Sequence, residues 1–371
     1  MKRKVNFITV ICCIVTVAIF SGLFFVLPDS SISQKENRTL SQVPYFSASN
    51  LFSGEYTADL SEYISDQFPA RDAFVAVKAY SELLLGKGEN NGVIHAQSST
   101  LVARGEITEN RLQENLETVK EFENAVGVPV CLGILPRSVD VFSEYLPVTY
   151  PKQNDVALWQ DFYDTANTLG LTAPKFYDTL CKSNNYYRTD HHYTSYGAYQ
   201  TYELLGDALG YEPYSTHFFK HATVSTNFCG TSMRSSGFYL VKKDKITLFR
   251  YDGDTDYIVT ADGKESELYD FSRLDSTDKY AVFLGGNHAR VDINSKEDKP
   301  NMLIIRDSFA DSLAPFLALH YDLTLIDLRY YNDDIQQLVC DEDFDCVLIL
   351  ESITEFSSAK NISYLRMGLA G

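Results

Sequence analysis

The chain begins with one long apolar segment and then alternates short apolar runs with amphipathic stretches. Phe7–Leu27 is an uncharged apolar run of 21 residues, which as a helix spans about 30 Å, the thickness of a bilayer core. Apolar runs of four to eight residues between helical segments indicate a parallel sheet covered on both faces, so we expect an α/β fold with a doubly wound three-layer α/β/α core. The pattern predicts strands at 128–135, 175–177, 302–305, 323–328 and 344–350, and helices at 107–126, 155–169, 195–209, 311–319 and 333–339.

Four stretches depart from this alternation. Residues 28–50 contain many Ser, Asn and Gln residues, which is typical of a stalk, whereas 54–84 has helical periodicity and 92–103 that of a hairpin. Residues 212–299 contain short alternating runs among Thr, Ser, Gly, Tyr and Asp, which predicts a β-rich insertion or lid. The expected organisation is therefore a cytoplasmic tip and transmembrane anchor (1–27), a stalk (28–50), a core (51–211 and 300–371) and an insertion (212–299).

Charge around the apolar segment predicts its orientation. Lys2, Arg3 and Lys4 precede it, and the first acidic residue, Asp29, follows it. The positive-inside rule then leaves residues 28–371 outside the cytoplasm. No Ala-x-Ala pattern marks a cleavage site near Leu27, so we expect an uncleaved single-pass anchor in the cell membrane.

The external part of the chain is strongly acidic. The net charge is −18, and it becomes −21 without the three cations that precede the apolar segment. Such a surface repels nucleic acid and anionic lipid, and it suits a neutral or cationic partner better. Nucleic-acid binding is therefore not expected.

Ser308 is the first candidate for chemistry. It follows the apolar run Met302–Ile305 and precedes a predicted helix, and ligand sites of parallel α/β sheets lie beyond the carboxyl ends of the strands. A serine at a helix N-terminus can attack a carbonyl while backbone amides hold the oxyanion. The simpler alternative is that Asp307 or Ser308 only caps the helix.

Asp190 and His192 form the second candidate. In an extended segment their side chains share one face, and a carboxylate beside an imidazole fixes its tautomer and stabilises the imidazolium. One alternative is a local turn in which Asp190 and Thr194 cap the following helix. Another is a metal site built by His191 and His192 with His288 or His320, although no HxxxH or HExxH spacing accompanies these residues.

The sequence Asp190-His191-His192-Tyr193 resembles the signature of the DHHW family, which is itself similar to the SGNH-hydrolase-like alginate O-acetyltransferases. Further blocks at 36–44, 66–72, 91–94 and 306–309 extend the resemblance over most of residues 36–350. Two departures from the family pattern stand out. Tyr193 replaces the signature tryptophan, and Arg306 stands where simple SGNH esterases carry glycine.

The resemblance implies Ser308 as nucleophile, His192 as base and Asp190 as the residue that orients the base. We expect no metal and no cofactor, and the resemblance implies a multispanning membrane acyltransferase that supplies the acetyl group. The oxyanion donor is not fixed by a motif, and Asn287 and Asn332 are the candidates. Residues near the predicted base and nucleophile are candidates for substrate binding: Tyr193, Tyr196 and Arg306.

These observations predict an extracytoplasmic serine-dependent O-acetyltransferase or acetylesterase that acts on a cell-surface or secreted polysaccharide. The alternative is a non-catalytic glycan-binding or scaffold protein of the same fold. The distance between His192 and Ser308 separates the two, since a general base must reach the hydroxyl that it deprotonates.

Overall fold

The structure is a computed structural model of the chain, and it describes residues 2–33, 38–148, 150, 155–358 and 360–366. The helices are α1 (Lys2–Val26), α2 (Ala48–Ser53), α3 (Glu55–Asp66), α4 (Arg71–Leu84), α5 (Glu109–Val126), α6 (Ser138–Val141), α7 (Asp155–Thr168), α8 (Tyr177–Leu180), α9 (Ser195–Leu209), α10 (Thr231–Ser236), α11 (Ala310–Leu317), α12 (Ile335–Asp341) and α13 (Ile353–Ser358). The strands are β1 (Ile32–Ser33), β2 (Arg38–Thr39), β3 (Glu89–Asn90), β4 (Val93–His95), β5 (Leu101–Ala103), β6 (Val130–Leu135), β7 (Lys220–Phe228), β8 (Asp244–Arg250), β9 (Ile258–Ala261), β10 (Lys264–Ser266), β11 (Arg290–Asn294), β12 (Asn301–Arg306), β13 (Asp322–Ile326) and β14 (Cys346–Ser352).

The chain divides into two compact units. The smaller comprises the residues up to Asn90 together with Arg234–Tyr239, and the larger comprises Asn91–Met233 and the residues from Leu240 onward. In the smaller unit, α1 is long and apolar enough over Phe7–Val26 to cross a membrane, a property of length and composition that a signal sequence shares.

The segment expected to be a stalk is partly folded, which corrects that prediction for its described residues. β1 and β2 pair antiparallel. The Gln67 amide, at the end of α3, donates to the carbonyls of Ser30 and Ser41 at 2.9 Å each. Ser41 N–H also donates to the carboxylate of Asp66 at 3.0 Å. These bonds tie Ser30 and Ser41 to the turn between α3 and α4.

The larger unit is organised around a seven-stranded sheet of order β10-β9-β11-β13-β12-β14-β6. β13, β12, β14 and β6 run parallel, whereas β11, β9 and β10 pair antiparallel. The predicted α/β class is confirmed, and the sheet is mixed. The expected strand at 175–177 is wrong: α8 begins at Tyr177, and the preceding segment contributes an isolated bridge from Thr172 to Cys131 of β6.

Both faces of this sheet are buried, which makes the three layers. In β12, Met302 and Ile304 join one apolar cluster, and Leu303 and Ile305 join the other. This alternation follows from the two-residue period of a strand. α9 and α11 contribute to the first cluster, and α5, α7 and α12 contribute to the second.

Residues 212–299 do not form one separate insertion, which corrects the predicted boundary. β9, β10 and β11 extend the central sheet on the side of β13, while β7 and β8 form a two-stranded sheet of their own. Strands this short carry little periodicity, so the sequence pattern did not reveal that they join the sheet.

Candidate active site

A cavity of about 190 Å³ lies where the four parallel strands end. Residues at the ends of these strands line the cavity. Arg137, Ser308 and Arg329 follow β6, β12 and β13, respectively, and Ser352 is the last residue of β14. The carboxyl edge of a parallel sheet is where α/β folds bind their ligands. Ser308 therefore lies at the position that the sequence predicted for a reactive group.

Asp307 fixes the turn that carries Ser308. Its carboxylate accepts the Phe309 N–H at 2.9 Å and, across the sheet, the Ser352 N–H at 2.8 Å. The Asp307 carboxylate thus orders the start of α11, and the Ser308 hydroxyl is left to another partner.

That partner is His192. The His192 Nε2 atom lies 2.7 Å from Ser308 Oγ, and its Nδ1 atom lies 2.5 Å from Asp190 Oδ1. The other Asp190 oxygen accepts the Thr231 N–H at 2.6 Å. The structure therefore brings together the three residues that the sequence predicted, Asp190, His192 and Ser308, although 116 positions separate His192 from Ser308.

The local conformation at Asp190 is a bend and not the extended segment that was expected. Asp190 Oδ1 accepts the His192 N–H at 2.9 Å, so the turn itself orients the imidazole. The capping alternative is half realised. Thr194 caps α9 by accepting the Gly197 N–H, whereas Asp190 is directed to His192.

Asp190 is held as a carboxylate although it is buried. Burial alone would raise its pKa. The charges of His192 and His191, together with hydrogen bonds from His192 and the Thr231 amide, outweigh burial and hold the pKa of Asp190 well below its usual range. At the cavity, burial and then the nearby Asp307 charge raise the pKa of Glu355.

Tyr280 completes the arrangement, and the sequence gave no sign of it. Its ring lies parallel to the His192 imidazole, with centroids 4.0 Å apart and planes 8° apart. Its hydroxyl donates to the Ser308 carbonyl at 3.2 Å and shares a hydrogen bond with Ser312 Oγ at 3.0 Å. Tyr280 lies within 212–299, in a short 3₁₀ helix whose spacing carries no motif.

Neither predicted oxyanion donor lines the cavity at Ser308. The side-chain amides of Asn287 and Asn332 are exposed and donate to the hydroxyl and the carbonyl of Tyr330, respectively. Ser308 and Gly105 do line it, and among the described residues their backbone N–H groups donate to no acceptor.

Two of the three predicted substrate-binding residues are buried, which corrects that expectation. Tyr193 is fully buried and donates its hydroxyl to the Phe309 carbonyl at 2.7 Å. Arg306 is 1% exposed and lies 2.7 Å from the Asp311 carboxylate. Tyr196 is 40% exposed but does not line the cavity.

For the metal alternative at His191 and His192, the structure adds Asp190 as a third group, and the ligand atoms of the three lie within 4.8 Å of one another. The two histidines proposed as further ligands are bound elsewhere. His288 Nδ1 lies 2.9 Å from an Asp262 oxygen, and His320 Nε2 lies 2.8 Å from the Tyr202 hydroxyl. A metal here would compete with the hydrogen bonds of His192 to Asp190 and Ser308.

A three-layer α/β domain with a serine, a histidine and an aspartate at the carboxyl edge of its sheet has the features of an SGNH-hydrolase-like domain. Comparison with known families agrees. Residues 175–326 match the family model described as DHHW protein, and residues 95–235 match that of the SGNH hydrolase-like domain, acetyltransferase AlgX. The resemblance to the DHHW family and to the SGNH-hydrolase-like acetyltransferases is therefore confirmed.

Solved structures share the fold. A DHHW family protein from Eubacterium siraeum has a TM-score of 0.60 and 20% identity, with 75% of this chain and 96% of that chain covered. Bacillus cereus PatB1 with a sulfonyl adduct has a TM-score of 0.60 and 16% identity, with 73% and 99% covered. At these identities the likeness establishes the fold. No curated protein matches the chain.

Proposed function

We propose that this protein is a membrane-anchored, extracytoplasmic enzyme that moves acetyl groups on a cell-surface or secreted polysaccharide, with Ser308 as nucleophile. One observation carries the proposal. Ser308 Oγ lies 2.7 Å from His192 Nε2, while His192 Nδ1 lies 2.5 Å from Asp190. A general base must be within hydrogen-bond reach of the proton it removes. A wider separation would have favoured the non-catalytic glycan-binding alternative.

The first half-reaction forms an acyl-enzyme. His192 Nε2 takes the hydroxyl proton as Ser308 Oγ attacks the carbonyl carbon of the acetyl donor. The tetrahedral intermediate collapses, the bond to the leaving oxygen breaks, and the imidazolium returns its proton to that oxygen. Asp190 remains ionised throughout and stabilises the imidazolium, in keeping with its depressed pKa.

The second half-reaction reverses these roles. His192 deprotonates a sugar hydroxyl, whose oxygen attacks the acetyl carbonyl on Ser308. Collapse of the second intermediate forms the sugar ester and returns the proton from His192 to Ser308 Oγ. Water at the same place makes the enzyme an esterase, so the identity of the acceptor decides between transfer and hydrolysis.

We assign the oxyanion hole to the backbone amides of Ser308 and Gly105. Both residues line the cavity, and among the described residues neither backbone N–H donates to an acceptor. Preorganised N–H donors stabilise the charge that develops on the carbonyl oxygen. Glycine suits position 105, because its φ is +57° and a Cβ there would lie 2.5 Å from Thr354 Oγ1.

The comparisons with known proteins support the acetyl group and the polysaccharide as the substrates in this proposal. The matched model over 95–235 describes an acetyltransferase, and the DHHW signature resembles the alginate O-acetyltransferases. That resemblance also supports a multispanning membrane acyltransferase as the acetyl donor. The sulfonyl adduct of PatB1 supports the use of a sulfonyl reagent as a probe of Ser308.

The decisive experiment compares the wild-type chain with Ser308→Ala in p-nitrophenyl acetate hydrolysis. Ser363→Ala, which changes an exposed serine near the C-terminus, is the matched control. We expect Ser308→Ala to release no acetate and to form no adduct with a labelled fluorophosphonate or sulfonyl reagent. In the wild type, the adduct is expected to map to residue 308. Full activity of Ser308→Ala would overturn the proposal.

Two further measurements test its remaining parts. Chelator treatment is expected to leave the hydrolysis rate unchanged, and loss of activity that zinc or manganese restores would favour the metal alternative. A C-terminal alkaline phosphatase fusion tests the orientation, because this reporter is active only outside the cytoplasm. An inactive but intact fusion would contradict the predicted topology.

A further inference from the structure

A second and larger cavity adjoins the one at Ser308. Its volume is about 830 Å³, against about 190 Å³ for the cavity at Ser308. Gly105 and Arg137 line both, so the two cavities are neighbours that share these residues as a wall. The larger one, which we call the acceptor groove, is lined by residues of α5, α7 and the segment 104–107. Its volume is in the range of ligand-binding sites.

The acceptor groove has an apolar floor and a polar rim. Leu112, Leu116 and Phe162 form the floor and are buried in the core between α5 and α7. Gln113 and Thr165 are among the polar residues of the rim. Sugars present both C–H faces and hydroxyl groups, so a surface of this kind matches a glycan chain better than it matches an aliphatic one.

The arginines at the two cavities are all ion-paired with carboxylates. Arg104 pairs with Glu106, Arg137 with Asp140 at 2.7 Å and Arg329 with Asp327 at 2.6 Å. No lysine lines either cavity among the described residues. A sugar carboxylate in the groove would therefore meet guanidinium groups whose charge is already balanced by a protein carboxylate.

Two carboxylates of the acceptor groove have no such partner. Glu109, at the start of α5, and Asp161, on α7, line it and are exposed. Neither side chain makes an ion pair or hydrogen bond within the described part of the chain. Because the arginine charges are balanced by their partners, these two acids give the groove a net negative charge. The net charge of −18 on the whole chain makes the electrostatic potential there more negative.

We propose that the acceptor groove binds the polysaccharide and selects it by charge: it takes a glycan that lacks carboxylates, prefers amino-bearing sugars, and discriminates against polyuronates. This inference rests on the proposed function, because it takes the neighbouring groove to hold the glycan whose hydroxyl receives the acetyl group from Ser308. Like charges in a binding site cost affinity, and opposite charges add to it. The prediction differs from what a resemblance to alginate acetyltransferases would suggest for the acceptor.

Binding is measured on full-length Ser308→Ala in detergent, which separates affinity from turnover. The probes are three hexasaccharides: a partly de-N-acetylated chitohexaose, cellohexaose and hexamannuronate. We expect the amino-bearing glycan to bind at least about tenfold more tightly than the uronate, with cellohexaose between them, and the difference to shrink as salt screens the charges. Equal or tighter binding of hexamannuronate, or binding of none of the three, would overturn the proposal.

Charge reversal locates the effect. Glu109→Lys/Asp161→Lys is expected to weaken binding of the amino-bearing glycan by about tenfold or more and to strengthen binding of hexamannuronate. The matched control is Glu117→Lys/Asp164→Lys, which makes the same charge change at exposed positions of α5 and α7 that do not line the groove. An equal effect of the control pair would mean that overall charge, and not the groove, selects the glycan.

Failure of the catalytic proposal gives a different result. If wild-type protein does not hydrolyse p-nitrophenyl acetate but Ser308→Ala still ranks the three glycans as expected, the groove is a binding site without the proposed chemistry. If hydrolysis depends on Ser308 and the glycans are not discriminated, the chemistry stands and the charge selection is wrong.

Discussion

The aromatic ring of Tyr280 lies flat against the His192 imidazole, with centroids 4.0 Å apart. The Tyr280 hydroxyl also donates to the Ser308 carbonyl at 3.2 Å. One side chain thus contacts both the proposed base and the backbone of the proposed nucleophile. We therefore predict that Tyr280 acts as a positioning residue in the proposed proton transfer between Ser308 and His192.

This relationship predicts different outcomes for two substitutions. Tyr280→Leu removes the stacking ring, and we expect kcat for p-nitrophenyl acetate to fall by about 100-fold with little change in KM, since a small misplacement of a reacting group has a cost of this order. Tyr280→Phe keeps the ring, so its kcat is expected to stay within about tenfold of wild type.

Tyr269→Leu is the control, because Tyr269 is equally buried but contacts Phe283 and the Phe249 carbonyl. It is expected to lower thermal stability as Tyr280→Leu does, without the loss of kcat. If Tyr280→Phe lost as much kcat as Tyr280→Leu, ring stacking would not be the cause.

Asp190→Asn tests how the imidazole is oriented. The asparagine has nearly the same shape, but it offers an N–H donor or a neutral oxygen to His192 Nδ1 and no longer favours the imidazolium. In the serine proteases the equivalent change lowers kcat by about 10⁴-fold, and we expect a loss of about 10³- to 10⁴-fold in p-nitrophenyl acetate hydrolysis, with folding preserved by circular dichroism. A variant within tenfold of wild type would show that Asp190 is not needed to orient the base.

The residues of the candidate site divide into those with a local sequence signal and those without one. Asp190 and His192 are two positions apart, and Ser308 follows an apolar strand. The local turn and strand geometry that places these residues can therefore be inferred from short stretches of the sequence. Tyr280 reaches His192 only through tertiary packing, and no spacing in its own segment records that contact. Local pattern therefore predicts the three residues that the structure brings together and misses the ring that packs on them.

The same distinction explains the errors in the fold. The parallel strands β6, β12, β13 and β14 are buried on both faces and appear as continuous apolar runs. β10 has three residues that are exposed or half-buried. An edge strand of this kind has no apolar run or alternation by which the sequence could reveal it. Arg306 was a substrate-binding candidate because it lies next to the predicted nucleophile in the sequence, but in the structure it is buried against an acid five positions later.

That acid is Asp311, and the buried pair predicts a non-additive effect on stability. Arg306 Nη1 lies 2.7 Å from Asp311 Oδ1, but no nitrogen of the guanidinium has an aligned hydrogen-bond acceptor among the described residues. Asp311→Leu leaves an unpaired buried cation and is expected to cost about 3–5 kcal/mol of unfolding free energy. Arg306→Met/Asp311→Leu removes both charges and is expected to be more stable than Asp311→Leu alone. Urea unfolding measures both variants, and a double variant that is less stable than the single one would contradict this account.

Glu351 predicts a dependence of stability on pH. It is buried on β14, its Oε2 has no hydrogen-bond partner among the described residues, and burial, followed by the Asp307 charge, raises its pKa well above the usual value. The folded state therefore holds this proton when the unfolded state, with a pKa of about 4.3, has lost it. The contribution of Glu351 to stability is complete below that unfolded-state pKa and decreases as pH rises toward the folded-state pKa.

Glu351→Gln removes this titration. We expect the variant to gain thermal stability relative to wild type between pH 5 and pH 8, measured as the difference in Tm at each pH. Glu117→Gln, at an exposed position of α5, controls for the loss of one acidic group. A Tm difference for Glu351→Gln that is the same at both pH values would mean that the folded and unfolded states hold this proton equally over the range, and hence that folding does not raise the pKa of Glu351.

The backbone at Gly230 packs closely against Asp190, which predicts that a larger residue at position 230 will displace the aspartate. A Cβ at this position would lie 2.2 Å from Asp190 Cβ and 2.5 Å from the Thr189 carbonyl oxygen, so Gly230→Ala must push the aspartate or the following Thr231 amide away. We expect a loss of about 1–3 kcal/mol of unfolding free energy from overpacking. We also expect at least a tenfold loss of p-nitrophenyl acetate hydrolysis, because Asp190 would no longer hold His192 toward Ser308.

The matched control is Gly88→Ala, where the added Cβ has no atom within 4 Å and stability should stay within about 0.5 kcal/mol of wild type. Comparing the fluorophosphonate labelling rates of the two variants separates displaced catalytic groups from general destabilisation, because labelling needs Ser308 and its base but no glycan. If Gly230→Ala is labelled as fast as Gly88→Ala, the position of Asp190 tolerates the extra carbon, and the close contact is not what aligns the imidazole.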